Sequence, residues 1–222
     1  MTRPRVRLVL AVSLDGRLAP AEGGAAQLGG AGDRRVLEMA LCQADAVLLG
    51  AETLRLHGTS CLIHHPDLLG ERHSRGLPPQ PPVVVWSRSG RFSPRLPFFQ
   101  QPFERWLLLS STTSPGAAAP GFDRVVPFVD WPATLSCFAS HGFGSLVVLG
   151  GAQLAGALVA ARVLDELQLT LCPTLLGGSH GWLPADALGD PATSWILDRT
   201  EALPGGELLV FYARREANGS MA

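Results

Sequence analysis

The sequence predicts an α/β domain with a central, mostly parallel sheet flanked by helices and closed by a C-terminal β-hairpin. Three observations carry this expectation. Short apolar runs recur along the chain: RVRLVLAVS at Arg5–Ser13, DAVLLG at Asp45–Gly50, PVVVWS at Pro82–Ser87, RWLLLS at Arg105–Ser110 and LVVL at Leu146–Leu149. Segments with helical spacing alternate with them, the pattern of a parallel sheet joined by crossover helices. Near the C-terminus, Trp195–Leu203 and Glu207–Arg214 flank Pro204-Gly205-Gly206, which reads as a hairpin.

Taken in order, Arg5–Ser13 is the first core strand. Its basic and apolar opening superficially resembles a signal peptide, but the run alternates like a strand and Asp15-Gly16-Arg17 ends it. Asp33–Ala44 is a helix, with Val36, Leu37, Met39, Ala40 and Leu41 on helical spacing and Asp33 suited to the N-cap. Asp45–Gly50 is a buried strand leading into a helix at Ala51-Glu52-Thr53. His57–Gln80, rich in His, Pro, Gly and Arg with little periodicity, reads as one long loop. Two more buried strands follow, then the small-residue connector Ser111–Pro120, a shorter strand within Phe122–Phe128 and a helix over Pro132–Ser140. Ser145–Gly178 gives a strand, the pair Gly150-Gly151, a helix and an alternating strand to Pro173. No internal repeat appears, and residues 1–222 are expected to form one domain.

Composition narrows the function classes. With 46% apolar residues and a formal charge of −1, the chain can bury a core and offers no electrostatic footprint for nucleic acid. No apolar run approaches the roughly 20 residues of a membrane helix. All eighteen basic residues are arginine. A lysine-dependent phosphate loop and a lysine Schiff base are therefore excluded. The four cysteines lack C-x-x-C spacing, which fits a reducing, cytoplasmic setting. Four histidines, His57, His64, His65 and His73, crowd one stretch. Without H-E-x-x-H or cysteine partner spacing they do not make a zinc site, and no metal is expected.

Gly150-Gly151 lets the backbone turn sharply before a helix whose unpaired N–H groups suit a phosphate. The next glycine is Gly156, so the dinucleotide fingerprint is not matched. A tight turn without ligand fits the spacing equally well. Ser87-Arg88-Ser89-Gly90-Arg91 follows a buried strand, where ligands bind in open α/β sheets. A guanidinium flanked by hydroxyls suits a 2′-phosphate; the alternative is a solvated turn.

The order AVSLDG, DAVLLGAET, LGGAQL, DELQLTLCPTLLGG resembles the reductase domain of the riboflavin-biosynthesis deaminase-reductases, over about Val6 to Gly178. The resemblance implies a dihydrofolate-reductase-like fold. It also implies an NADPH-dependent oxidoreductase, a pyrimidine reductase that passes hydride to the ribosylamino carbon of 5-amino-6-(5-phosphoribosylamino)uracil. The zinc-deaminase signature (H-x-E with P-C-x-x-C) is missing, so the reductase half is expected alone. The cofactor residues implied are Ala11, Thr53, His57, Ser87, Arg88, Gly150, Gly151, Ala152, Gln153 and Leu154. A core alanine remains open for Ala11, and a capping hydroxyl for Thr53.

On the substrate side the resemblance implies Asp15, Arg55, Cys61 and His64, with a turn carboxylate as the other reading of Asp15. His57 stands where the family usually has an aspartate, Cys61 a leucine, His64 and Leu41 arginines, Leu149 a glutamate and Ala26 a serine. Arg55, Arg72 or Arg75 are the arginines that can replace the missing cations. No catalytic residue is assigned. A same-fold reductase with another heterocyclic or carbonyl substrate, or a non-catalytic NADPH-binding protein, are the alternatives. Apolar alternation over Leu167–Leu171 and Leu208–Tyr212 points to a sheet face larger than one subunit covers. Family members also commonly pair near their C-terminal strands, so a homodimer with a small-molecule substrate is expected.

Overall fold

A parallel strand whose two faces are both covered is apolar along its whole length. Val83–Ser87 (β3), Ala46–Gly50 (β2), Arg105–Leu109 (β4) and Ser145–Val148 (β6) follow that rule. Val84, Val85, Leu48, Leu107, Leu108 and Val148 lose all contact with solvent. Arg124–Pro127 (β5), at the end of the row, is exposed or half-buried throughout. The computed structural model describes residues 3–109, 120–184, 187 and 194–215. Of the expected connector Ser111–Pro120, only Pro120 lies within the described residues.

The chain packs as two compact units, one of residues 1–4 and 38–149, the other of residues 5–37 and 150–222. In the first, five strands run parallel in the order β5-β4-β3-β2-β6. In the second, Arg5–Ser13 (β1) pairs in parallel with Glu166–Cys172 (β7). β7 then pairs antiparallel with Glu207–Arg214 (β9), which closes the hairpin with Trp195–Leu203 (β8). Five of these seven pairings are parallel, as the sequence predicts.

The helices are Ala31–Gln43 (α1), Ala51–His57 (α2), Pro66–Ser74 (α3), Trp131–Ser140 (α4) and Ala152–Ala160 (α5). Two expectations need correction. The stretch from His57 to Gln80 is not one loop, because α3 occupies its middle with Pro66 in the first turn, where a missing N–H costs nothing. Its apolar stripe is only Leu68 and Leu69, too short for periodicity to reveal. Asp33 is not the N-cap of α1 but its third residue. The cap comes from β9: Glu207, 6% exposed, accepts the N–H groups of Gly30 at 2.5 Å and Asp33 at 3.3 Å. Local sequence cannot reveal a cap supplied from more than 170 residues away. α4, by contrast, is capped locally, with Asp130 Oδ1 accepting from Ala133 N at 2.7 Å.

At the far end of α1, Arg72 of α3 is fully buried in the first unit. Its Nη1 donates to the carbonyls of Leu41, Cys42 and Ala44 at 2.9–3.2 Å, and its Nε to Pro78 O at 2.7 Å. A guanidinium on the last carbonyls of a helix suits both their unmet acceptors and their partial negative charge.

Candidate active site

In the first unit, the candidate residues cluster where β2 and β3 end side by side, with Gly50 in register with Trp86. α2 starts there with Gly50 at the N-cap and no side-chain cap. Thr53 is the third helical residue, so its hydroxyl is not at the cap position; it is half-buried. His57, the last residue of α2, is exposed.

The turn after β3 is built from its own hydroxyls. Buried Ser87 accepts the N–H of Gly90 through Oγ at 3.1 Å, and Ser89 Oγ accepts from Arg91 N at 3.3 Å. Gly90 has φ +63°, and a Cβ there would crowd the Leu107 and Leu109 side chains at 3.1 and 3.2 Å. The result is a fixed turn that carries Arg88 exposed on its outside. Arg55 braces this turn to α2: it is ion-paired to Glu52, donates to Arg91 O at 3.2 Å, and lies 5.1 Å from the ring centre of Phe92.

In the second unit, Ala11 is half-buried on β1 opposite Thr170. Gly150 has φ +86°, and a Cβ there would meet Leu10 Cδ2 at 2.9 Å. Gly151 is the N-cap of α5 and offers no side chain, so the N–H groups of Ala152, Gln153 and Leu154 open the helix uncapped. Gln153 is exposed, whereas Leu154 is 1% exposed and has only its backbone to offer at the helix end.

Asp15 lies in the turn after β1. Its carboxylate accepts from Ser13 Oγ at 2.6 Å, Leu176 N at 3.1 Å and Gly177 N at 2.8 Å. The Ser13 hydroxyl first, then the two backbone donors, hold its pKa down at about 2. All three are donors of its own unit, the engagement of a turn carboxylate.

The substrate-side positions divide clearly. Cys61 and His64 are exposed, Leu149 and Ala26 are half-buried, and Leu41 is wholly buried in the core. None of the three replacement arginines reaches outward unengaged. Arg72 is spent on carbonyls, Arg75 donates to Cys42 O at 3.2 Å beside Glu71, and Arg55 holds the 87–91 turn.

Sequence reasoning missed Glu38, whose only signal was an acid interrupting the apolar run of α1. It is 1% exposed, and its Oε2 accepts from His64 N at 2.7 Å, His65 N at 3.0 Å and His65 Nδ1 at 2.7 Å. Burial alone would push this carboxyl up, but the donors from His64 and His65 outweigh it and hold its pKa below the ordinary value. Among the described residues no cluster of three or more metal-ligating side chains occurs, and no helix is long and apolar enough to cross a membrane.

Against known families, residues 4–209 match the RibD C-terminal domain. The chain belongs to that family. Among curated relatives, it is 27% identical over 183 residues to riboflavin biosynthesis protein RibD of Escherichia coli, covering 78% of this chain and 49% of that protein. It is 25% identical over 187 residues to the 2,5-diamino-6-ribosylamino-4(3H)-pyrimidinone 5′-phosphate reductase of Archaeoglobus fulgidus, covering 79% and 83%. The chain thus spans about half the length of the RibD relatives it matches.

Among solved structures, a pyrimidine reductase-like protein of Corynebacterium diphtheriae superposes with TM-score 0.77 at 18% identity, covering 96% and 92% of the two chains. Dihydrofolate reductase of Enterococcus faecalis, complexed with NADP(H), superposes with TM-score 0.54 at 16% identity over 96% and 97%. RibD C-terminal domains and dihydrofolate reductase share this fold, so the fold is dihydrofolate-reductase-like.

Proposed function

We propose that the chain is an NADPH-dependent oxidoreductase that works as the pyrimidine reductase of riboflavin biosynthesis, with residues 1–222 forming one reductase domain. The observation that carries the cofactor half is bare backbone at a helix opening in one unit; a fixed cationic turn in the other unit supports it separately. A helix opening on Gly150-Gly151, uncapped and with no Cβ in the way, is what a pyrophosphate needs. An exposed Arg88 on a turn pinned by Ser87 is what a 2′-phosphate needs. The residues therefore fit NADPH: Gly150–Leu154 through backbone N–H groups, Ser87 and Arg88 at the adenosine phosphate, and Ala11, Thr53 and His57 toward the nicotinamide half.

When bound, NADPH supplies the hydride. This chain's residues bind and orient, and a reaction of that kind leans on positioning more than on a strong acid–base pair. The substrate half rests on kinship with the Archaeoglobus reductase and the RibD proteins. Substrate contacts are assigned to Asp15, Arg55, Cys61 and His64; Asp15 and Arg55 also order their own turns. The buried Leu41 favours a second reading, a same-fold reductase with a different heterocyclic or carbonyl substrate.

The test is NADPH oxidation with 5-amino-6-(5-phosphoribosylamino)uracil against a panel of carbonyl compounds. Turnover of the pyrimidine alone supports the first reading, turnover of another compound the second, and binding without oxidation a non-catalytic protein. In the same assay Arg88→Ala should weaken NADPH by about tenfold or more while leaving NADH nearly unchanged. Equal loss for both cofactors would remove the 2′-phosphate assignment. The working unit is proposed to be a cytoplasmic homodimer, with exposed Leu197 and Leu208 of the β8–β9 hairpin at its interface.

A further inference from the structure

The backbone of residues 60–65 is held almost entirely by side chains from elsewhere in the first unit. The Gln101 amide donates to Ser60 O at 2.8 Å and accepts from Ser60 N at 2.8 Å. The Gln80 amide does the same to Ile63, at 2.8 and 2.9 Å. Glu38 takes the next two N–H groups, those of His64 and His65. An irregular segment held this way is fixed without a strand partner, and its remaining side chains are presented in one arrangement.

His65 is the one whose ring is also seized. Its Nδ1 lies 2.7 Å from Glu38 Oε2, while 39% of its side chain stays exposed. Glu38 Oε1 is buried and has no hydrogen-bond partner among the described residues, so its charge is directed to this strip alone. A carboxylate on Nδ1 fixes the ring's orientation and leaves Nε2 as its other polar atom. The arginines that were candidates to bind an anion here are engaged elsewhere, as described above.

We propose that His65, aimed by Glu38, is the residue that binds the anionic group of a sugar-phosphate substrate, with Glu38 as its positioning residue. This deepens the substrate half of the proposed function and rests on that reading for the identity of the ligand. Neither residue is one that the sequence resemblance singled out.

The probe is ribose 5-phosphate, titrated into the full chain while the His65 ring Hε1 resonance is followed by NMR, with His65→Gln identifying the peak. The peak should move saturably with ribose 5-phosphate and stay still with ribose. Glu38→Gln should weaken the titration by about tenfold or more. A peak that does not move, or that moves equally with ribose, overturns the proposal.

In steady-state kinetics on the phosphorylated pyrimidine, His65→Gln and Glu38→Gln should raise KM by about tenfold or more, with kcat and the Kd for NADPH retained. A fall in kcat at unchanged KM, or weakened NADPH, would make the pair structural or place it elsewhere. If Glu38→Gln does not fold, His65→Gln alters only a half-exposed ring and carries the same test. A chain that oxidises no NADPH with any substrate, yet binds ribose 5-phosphate through His65, refutes the reductase reading and leaves this site standing.

Discussion

Asp15 shows how much one turn residue can organise. Its three donors come from Ser13, at the end of β1, and from Leu176 and Gly177, after β7, so one carboxylate ties two loops together. A pKa of about 2 against an ordinary 3.8 fixes the sign of its pH effect. The folded state prefers the ionised form, so the stabilisation is full above the unfolded value and is lost as pH falls through the folded one. Thermal melts of the wild type and Asp15→Asn should therefore differ above about pH 4 and converge toward pH 2. A gap that persists unchanged to pH 2 would mean that the carboxylate's charge is not what the turn uses. Sequence alone left Asp15 between a turn and a ligand role, because its donors at Leu176 and Gly177 lie 161 and 162 residues away.

At the scale of elements, the joint between α1 and α3 depends on a single cation. Among the described residues Arg72 is the largest fully buried side chain, and the hydrogen bonds it makes there all go to carbonyls. Arg72→Met should cost at least about 3 kcal/mol in chemical denaturation, since several buried acceptors lose their donor together. Arg72→Lys should fall between the two, because an ammonium on a flexible stem cannot match a planar fork. Equal stability of Arg72→Met and the wild type would show that water replaces the guanidinium. The sequence reading offered Arg72 as a replacement for a missing substrate cation. The error has a physical source: an arginine in a stretch read as loop is assumed to be solvated, and only the helix there turns it inward.

For the whole molecule, the strands were the most legible part. β1, β8 and β9 match their expected bounds, and the other strands lie within one to three residues of them. Fully buried parallel strands announce themselves as unbroken apolar runs, and the hairpin by its glycines. Alternation in β7 and β9 was also the basis for expecting a homodimer. Most of those side chains are already buried in the single chain: Leu167, Leu169, Leu209 and Phe211. The exposed apolar groups are instead Leu197 and Leu208, with Arg199 lying 3.9 Å from the ring centre of Phe211. If the hairpin is the interface, light scattering should report a dimer for the wild type and a monomer for Leu197→Glu with Leu208→Glu. A wild-type monomer at every concentration removes the expectation.

The amide clamps of Gln80 and Gln101 have a consequence for how this protein can change. They grip main-chain atoms of Ser60 and Ile63, so they hold the ends of this stretch whatever side chains Cys61 and Leu62 carry between them. Glu38 grips His64 likewise through its N–H. Recognition and architecture are thereby written in different atoms of the same six residues. A library randomised at Leu62 and His64 should yield mostly folded variants with shifted substrate preference. Proline at position 64 should be the exception, rejected in a protease-resistance screen because it has no N–H to give Glu38. Such a segment can change its exposed side chains without unfolding, and it is the natural place to begin redirecting the proposed reductase by directed evolution.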